Sequence, residues 1–194
     1  VVFRKPASLR EETVPAPVET QLAAVDGSWT LSFPPNLGAP GKVTIDRLDS
    51  WGNNADAGVK YFSGTGTYSK TLDVPAEWLR AGKRIKLDLG DVRELAEVLV
   101  NGKSLGIVWH APFTVDVTGA LKPGANSLEV RVTNLWVNRL IGDQQPGVTS
   151  KYTFTAMPTY KPDAPLRPSG LLGPVLLNSV DLTSNAPTPA PHTP

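Results

Sequence analysis

Between Arg84 and Asp143 the chain is cut into short apolar runs separated by turn residues. Ile85, Leu87 and Leu89 alternate with Arg84, Lys86 and Asp88, and Leu128, Val130 and Val132 alternate with Glu129, Arg131 and Thr133. Successive side chains of a strand point to opposite faces, so each run has one dry face and one wet face. Asn101-Gly102 stands between Val98-Leu99-Val100 and Leu105-Gly106-Ile107-Val108. Asn-Gly in that setting predicts a tight hairpin, because both central residues of its turn take positive φ. Gly119 and Lys122-Pro123-Gly124 break the next pair of runs. An antiparallel meander with a dry face on every strand needs a second layer to cover it. The expected fold is all-β, an antiparallel β-sandwich with very little helix.

Nineteen prolines and seventeen glycines in 194 residues agree with a loop-rich β protein of one domain plus appendages. The formal net charge of +1 supplies no field for nucleic acid or an anionic membrane. No apolar run approaches the roughly 18 residues that span a bilayer, and Val1-Val2-Phe3 followed by Arg4-Lys5-Pro6 does not read as a leader. Cysteine is absent, which removes disulfides, cysteine-ligated zinc and thiol nucleophiles and leaves the compartment open.

Residues 1–26 begin with the strand-like Val1-Val2-Phe3-Arg4 and continue through Pro15-Ala16-Pro17. They are expected to be a strand of a preceding domain and a linker, or a flexible terminus. The sandwich is expected over 27–183. Trp29, Leu31 and Phe33 alternate as an aromatic strand face, and Val43-Thr44-Ile45 reads as a further short strand. Trp51, in the turn-rich Asp49 to Asn54, is expected at the surface. Gly64 and Gly66, in a Thr- and Tyr-rich strand, point to a bulge or a close backbone approach. Pro75 to Arg80 is the best helix candidate, stopped by Gly82. Gln144 to Ser169 is long and proline-punctuated, with a candidate strand at Lys151–Thr155, and loops of that length are usually functional or disordered. Leu171 to Leu182 predicts a last strand, and 184–194 a Pro/Thr-rich disordered tail.

Glycosidic hydrolysis usually wants two carboxylates about 5–5.5 Å apart, or wider for inversion. Asp91, Glu94, Glu97 and Asp143 are the candidates. Glu94 and Glu97, three apart on a strand, would face opposite sides, so solvated edges and turns are the simpler reading. His110 has only His192 for company, too little for a zinc site or a triad, and reads as structural or superficial. No glycine-rich phosphate loop opens a helix. The richest cluster is Asn134-Leu135-Trp136-Val137-Asn138-Arg139-Leu140-Ile141-Gly142-Asp143. Saccharides are held by planar amides, carboxylates and guanidinium groups with an aromatic face beneath the ring. Trp109, His110, Asn134, Trp136, Asn138, Arg139 and Asp143 are the candidate carbohydrate-binding set. The alternative places Trp136 in the core and makes Arg139 and Asp143 a structural ion pair that fixes a loop.

Several stretches, in order, resemble the galactose-binding-like jelly roll of glycoside hydrolases: Tyr61 to Tyr68, Leu87 to Ala96, Val100 to Gly106, Trp109-His110-Ala111-Pro112-Phe113, Asp116-Val117-Thr118, Gly124-Ala125-Asn126 and Asn134 to Asp143. The likeness runs from about Gly27 to Leu182. It is shared with the family 2 β-galactosidase and β-glucuronidase group, and its last stretch is more similar to the C-terminal region of family 106 α-L-rhamnosidases. The resemblance implies a fragment of a larger enzyme, without activity alone, whose partner is a carbohydrate or a neighbouring catalytic (β/α)-barrel. It requires no cofactor, admits a structural calcium with no residues assigned to it, and leaves the localisation unknown while admitting a secreted or periplasmic bacterial parent. A small stand-alone rhamnosidase or galactosidase using the four carboxylates is the alternative. Trp29, Leu87, Val98, Val130 and Val132 are expected in the core. Leu87→Ala should therefore cost about 2–5 kcal/mol of stability in denaturant unfolding, and a negligible loss would remove Leu87 from the core.

Overall fold

The computed structural model of the protein describes residues 17–80 and 82–181. Its strands are β1 (Val18–Ala24), β2 (Trp29–Ser32), β3 (Lys42–Ile45), β4 (Thr65–Val74), β5 (Lys83–Asp88), β6 (Asp91–Arg93), β7 (Leu95–Val100), β8 (Lys103–Val108), β9 (Thr114–Asp116), β10 (Gly124–Thr133), β11 (Gly170–Gly173) and β12 (Leu176–Asp181). The helices are short, α1 (Ala57–Lys60) and α2 (Val137–Gly142). Six strands pair in the order β3-β2-β4-β10-β7-β8, four in the order β1-β12-β5-β9, and β11 pairs with β6. Every strand pairing is antiparallel.

Period-two patterning sets the register. Val130 lies opposite Val98 on one side and Tyr68 on the other, and Leu87 lies between Leu177 and Val115. The inner faces of the two large sheets meet in one core that contains Trp29, Leu31, Tyr68, Leu87, Val98, Val130, Val132 and Leu177. All five residues expected in the core are buried. The Asn101-Gly102 turn has φ of 51° and 77°, the left-handed pair expected of it. Asn101 also donates from Nδ2 to Asn126 Oδ1 (2.8 Å) and to the Ala120 carbonyl (2.9 Å), which ties the hairpin tip to the next turn.

One end of the core is aromatic. Trp51 is 2% exposed, not superficial as its turn-rich setting suggested. Its indole packs against Phe33 and Phe62, each with ring centroids 5.6 Å away, and its Nε1 donates to the Tyr68 hydroxyl at 2.6 Å. The Leu171 amide donates to the same oxygen at 2.9 Å. Burial pushes the Tyr68 phenol well above its ordinary pKa, against the smaller downward pull of these two hydrogen bonds. Gly66 is the close approach that the sequence signalled, since a Cβ there would lie 2.7 Å from the Trp51 ring.

Tertiary context overrides local pattern in several places. β1 pairs with β12 and Val25 enters the core, so the sandwich begins before the expected boundary at 26. The expected Val1–Arg4 strand and the tail from 184 lie outside the described residues. The Pro75–Arg80 helix is a single 3-10 turn, Ala76–Leu79, and Lys151–Thr155 is not a strand. The apolar run from Leu171 divides at Pro174 into β11 and β12, which join different sheets. Proline cannot donate to a ladder, so the run breaks there. Among the described residues no helix is long and apolar enough to cross a membrane.

Overpacking a filled core costs about 1–3 kcal/mol. Gly66→Ala should lower Tm by several degrees in thermal unfolding as the Trp51 indole is displaced. Gly41→Ala, with nothing within 4 Å of its added Cβ, should leave Tm unchanged.

Candidate functional site

The candidate region starts where β10 runs out. Asn134 holds the exit. Its backbone N–H donates to the Gly64 carbonyl (3.3 Å), its Oδ1 accepts from the Gly64 amide (3.0 Å), and its Nδ2 donates to the Phe62 carbonyl (2.9 Å). Leu135 and Trp136 follow at the surface, 48% and 60% exposed. The chain then turns into α2. Val137, Leu140 and Ile141 have helical i, i+3, i+4 spacing, but six residues are too few for that pattern to stand out. All six are buried.

Buried polar groups must find partners. Asn138 is 1% exposed and pairs with Arg167 as a strand neighbour would. Its Nδ2 donates to the Arg167 carbonyl (2.8 Å) and its Oδ1 accepts from the Arg167 amide (2.8 Å). Arg139 Nε faces Asp143 Oδ1 at 2.9 Å across one helical turn, with side chains 9% and 1% exposed. Neither atom has a further hydrogen-bond partner. The guanidinium lies between the rings of Tyr61 and Tyr152, 6.0 Å and 5.0 Å from their centroids. Asp143 Oδ2 accepts from the Tyr152 amide (3.0 Å), the Thr153 amide (2.8 Å) and the Thr153 hydroxyl (2.6 Å). Gly142 has no room for a side chain, because a Cβ would meet Arg139 Nη2 and Tyr61 at 2.5 Å.

The expected saccharide palette is thus divided. Asn134, Asn138, Arg139 and Asp143 are engaged within the fold; Arg139 and Asp143 form the pair of the ion-pair alternative, but Trp136, which that alternative placed in the core, is 60% exposed. Trp109, His110 and Trp136 stay outward. Trp109 is 70% exposed and meets the His110 ring edge-on at 4.8 Å, while His110 Nδ1 lies 2.9 Å from the Ala111 carbonyl oxygen. The same division applies to the carboxylates. Asp91 pairs with Arg93 at 2.9 Å, Glu97 with Arg131 at 3.2 Å, Glu94 is exposed and Asp143 is sealed by Arg139. None of the four lines any of the principal surface depressions. Three of those depressions instead adjoin the turn from Asp46 to Asn54, with Arg47, Asp49 and Asn53 at their walls. The turn-rich Asp49-Ser50-Trp51-Gly52-Asn53-Asn54 run contributes to two of these depressions. Among the described residues no three His, Asp or Glu side chains converge as metal ligands would.

Removing one partner of a buried ion pair costs about 3–5 kcal/mol, because the remaining charge is stranded. Asp143→Ala should show that loss in denaturant unfolding. Arg93→Ala, at an exposed pair, should lose less than about 1 kcal/mol.

The sequence profile of the family described as glycosyl hydrolase 2 galactose-binding domain-like matches residues 49–163. A Formosa agariphila protein named "Putative beta-glucuronidase" is 40% identical over an alignment of 190 residues that covers 86% of this chain and 16% of that protein. The structure of a rhamnosidase from Novosphingobium sp. PP1Y superposes with a TM-score of 0.84 at 49% identity, covering 91% of this chain and 17% of that one. A beta-D-glucuronidase of Dictyoglomus thermophilum superposes at 0.58 with 18% identity, covering 92% of this chain and 29% of the other, and shares the fold alone. This chain therefore spans about a sixth of its two more similar relatives. With two packed antiparallel sheets beneath the matched stretch, the chain belongs to the galactose-binding-domain-like family of glycosyl hydrolase 2.

Proposed function

We propose that the chain is an accessory β-sandwich module of a larger glycoside hydrolase of the α-L-rhamnosidase kind, contributing support or saccharide contacts and no bond cleavage. The observation that carries this reading is the fate of the carboxylates. Cleavage needs an acid and a base or nucleophile facing one space, and here Asp91, Glu97 and Asp143 each face a cation instead. The relatives' length agrees, since the chain spans 17% of the Novosphingobium rhamnosidase. The rhamnosidase type rests on 49% identity to that enzyme, beside 40% to the Formosa agariphila "Putative beta-glucuronidase".

A second reading, direct saccharide binding, is favoured by the outward rings of Trp109 and Trp136. An exposed aromatic face can lie under a sugar ring. Calorimetry with rhamnose, galactose and pectic oligosaccharides measures it. Heat that disappears in Trp136→Ala or Trp109→Ala supports binding there, and no heat at millimolar sugar leaves only the supporting role.

The accessory reading is tested by assaying the folded chain against nitrophenyl rhamnosides, glucuronides and galactosides. Background rates are expected. Turnover abolished by a single substitution at Asp91, Glu94 or Glu97 would overturn it.

A further inference from the structure

The Asn101-Gly102 turn joins β7 to β8, and both of its residues are exposed. Asn101 is the one asparagine of the chain that glycine follows. That dipeptide carries a reaction of its own. The backbone nitrogen of the second residue attacks the asparagine Cγ, the new N–Cγ bond closes a five-membered succinimide, and the Cγ–Nδ2 bond breaks. The side-chain nitrogen leaves as ammonia, taking the proton that the backbone nitrogen gives up. Water then opens the ring at either carbonyl, to aspartate or to isoaspartate, and the latter carries an extra methylene in the backbone. Glycine has no Cβ to shield its nitrogen from this attack. Here the flank is also open, since nothing lies within 4 Å of where a Cβ on Gly102 would stand.

The hold on the Asn101 side chain opposes that reaction. Its Nδ2 donates to Asn126 Oδ1 (2.8 Å) and to the Ala120 carbonyl (2.9 Å), and its Oδ1 accepts from the Ser127 amide (3.1 Å). Asn126 is itself fixed. It is 1% exposed, its Oδ1 also accepts from the Lys122 amide (2.9 Å), and its Nδ2 donates to the Lys122 and Gly124 carbonyls (2.7 and 2.8 Å). Ring closure has to swing Cγ round to the Gly102 nitrogen, which gives up the three side-chain bonds of Asn101 and leaves the buried Asn126 Oδ1 with one donor in place of two. We propose that Asn101 is a latent modification site, whose deamidation through Gly102 is held back by this clamp of Ala120, Asn126 and Ser127. The clamp works in one direction. The carboxylate of either product accepts hydrogen bonds and donates none, so it meets Asn126 Oδ1 and the Ala120 carbonyl oxygen with nothing to offer them. Once the reaction has run, the hairpin tip has lost its tie to the turn between β9 and β10. In isoaspartate the added methylene also spoils the two-residue turn.

The test follows succinimide, aspartate and isoaspartate at position 101 by peptide mass spectrometry while the chain is incubated at neutral pH, below the Tm of every variant. Wild type in buffer is compared with wild type in denaturing urea, with Asn126→Ala and with Gly66→Ala. Urea and Asn126→Ala should each speed the reaction about tenfold or more over native wild type. Gly66→Ala, which loosens the aromatic end of the core and leaves the clamp intact, should keep the wild-type rate. Asn101→Asp, a product of the reaction, should lower Tm. Native wild type that reacts as fast as in urea would overturn the protection. A folded Asn126→Ala at the wild-type rate, or Gly66→Ala as fast as Asn126→Ala, would overturn the role of the clamp, the second by showing that general opening sets the rate. An unchanged Tm in Asn101→Asp would overturn the one-way loss. Where Asn126→Ala does not fold, the comparison of native wild type with wild type in urea still decides whether the fold protects Asn101.

Discussion

The Trp51–Tyr68 contact is the join on which the rest of the sandwich depends. Tyr68 belongs to the central pair of the six-stranded sheet, Trp51 to a turn outside the sheets, and Leu171, which donates to the same hydroxyl, to the small β6–β11 pair. One phenolic oxygen therefore fastens three separate parts of the chain. Such an oxygen has to be hydrogen-bonded to be tolerated in an apolar core. The aromatic cluster around it then excludes water. Two glycines make the geometry available. Gly66 leaves room for the indole on one side. At Gly170 a Cβ would meet Trp51 Nε1 and the Tyr68 hydroxyl at 2.6 Å, and φ of 99° is itself a conformation that suits glycine.

From that join the chain reaches the surface through a second, polar lock. Ser50 and Trp51 bond Ser169, Asn138 bonds Arg167, and Asp143 bonds the 152–153 backbone. Burying Arg139 and Asp143 carries a desolvation cost that their mutual attraction offsets only when the other lone pairs are used. Here the second carboxylate oxygen accepts three hydrogen bonds, and two tyrosine rings flank the guanidinium. The result is a loop with a defined path and no secondary structure of its own. The charges of Arg139 and Asp143 thus serve to fix the path of that loop.

Fold and site are decided by different residues. The Dictyoglomus beta-D-glucuronidase keeps the sandwich at 18% identity, because alternation and turn chemistry survive wide substitution. A shared fold leaves function to the surface groups. In this chain the large apolar groups left at the surface include Trp109, Trp136, Phe154 and Met157.

By itself the sequence determined what depends on neighbours along the chain. Alternation made Leu87, Val98 and Val130 core residues, Asn101-Gly102 had to turn, and Gly66 announced a close approach. These features follow from local sterics and from the two-residue period of a strand. Tertiary structure alone decided the rest. Trp51 is buried because Phe33, Phe62 and Tyr68 converge on it from distant strands. The six residues of α2 are helical because the fold covers them on every side. Arg139 and Asp143 face each other beneath residues 152 and 153, which return to cap the carboxylate. Whether a polar side chain points into the protein or out of it depends on what arrives from elsewhere in the chain, and no local pattern carries that information.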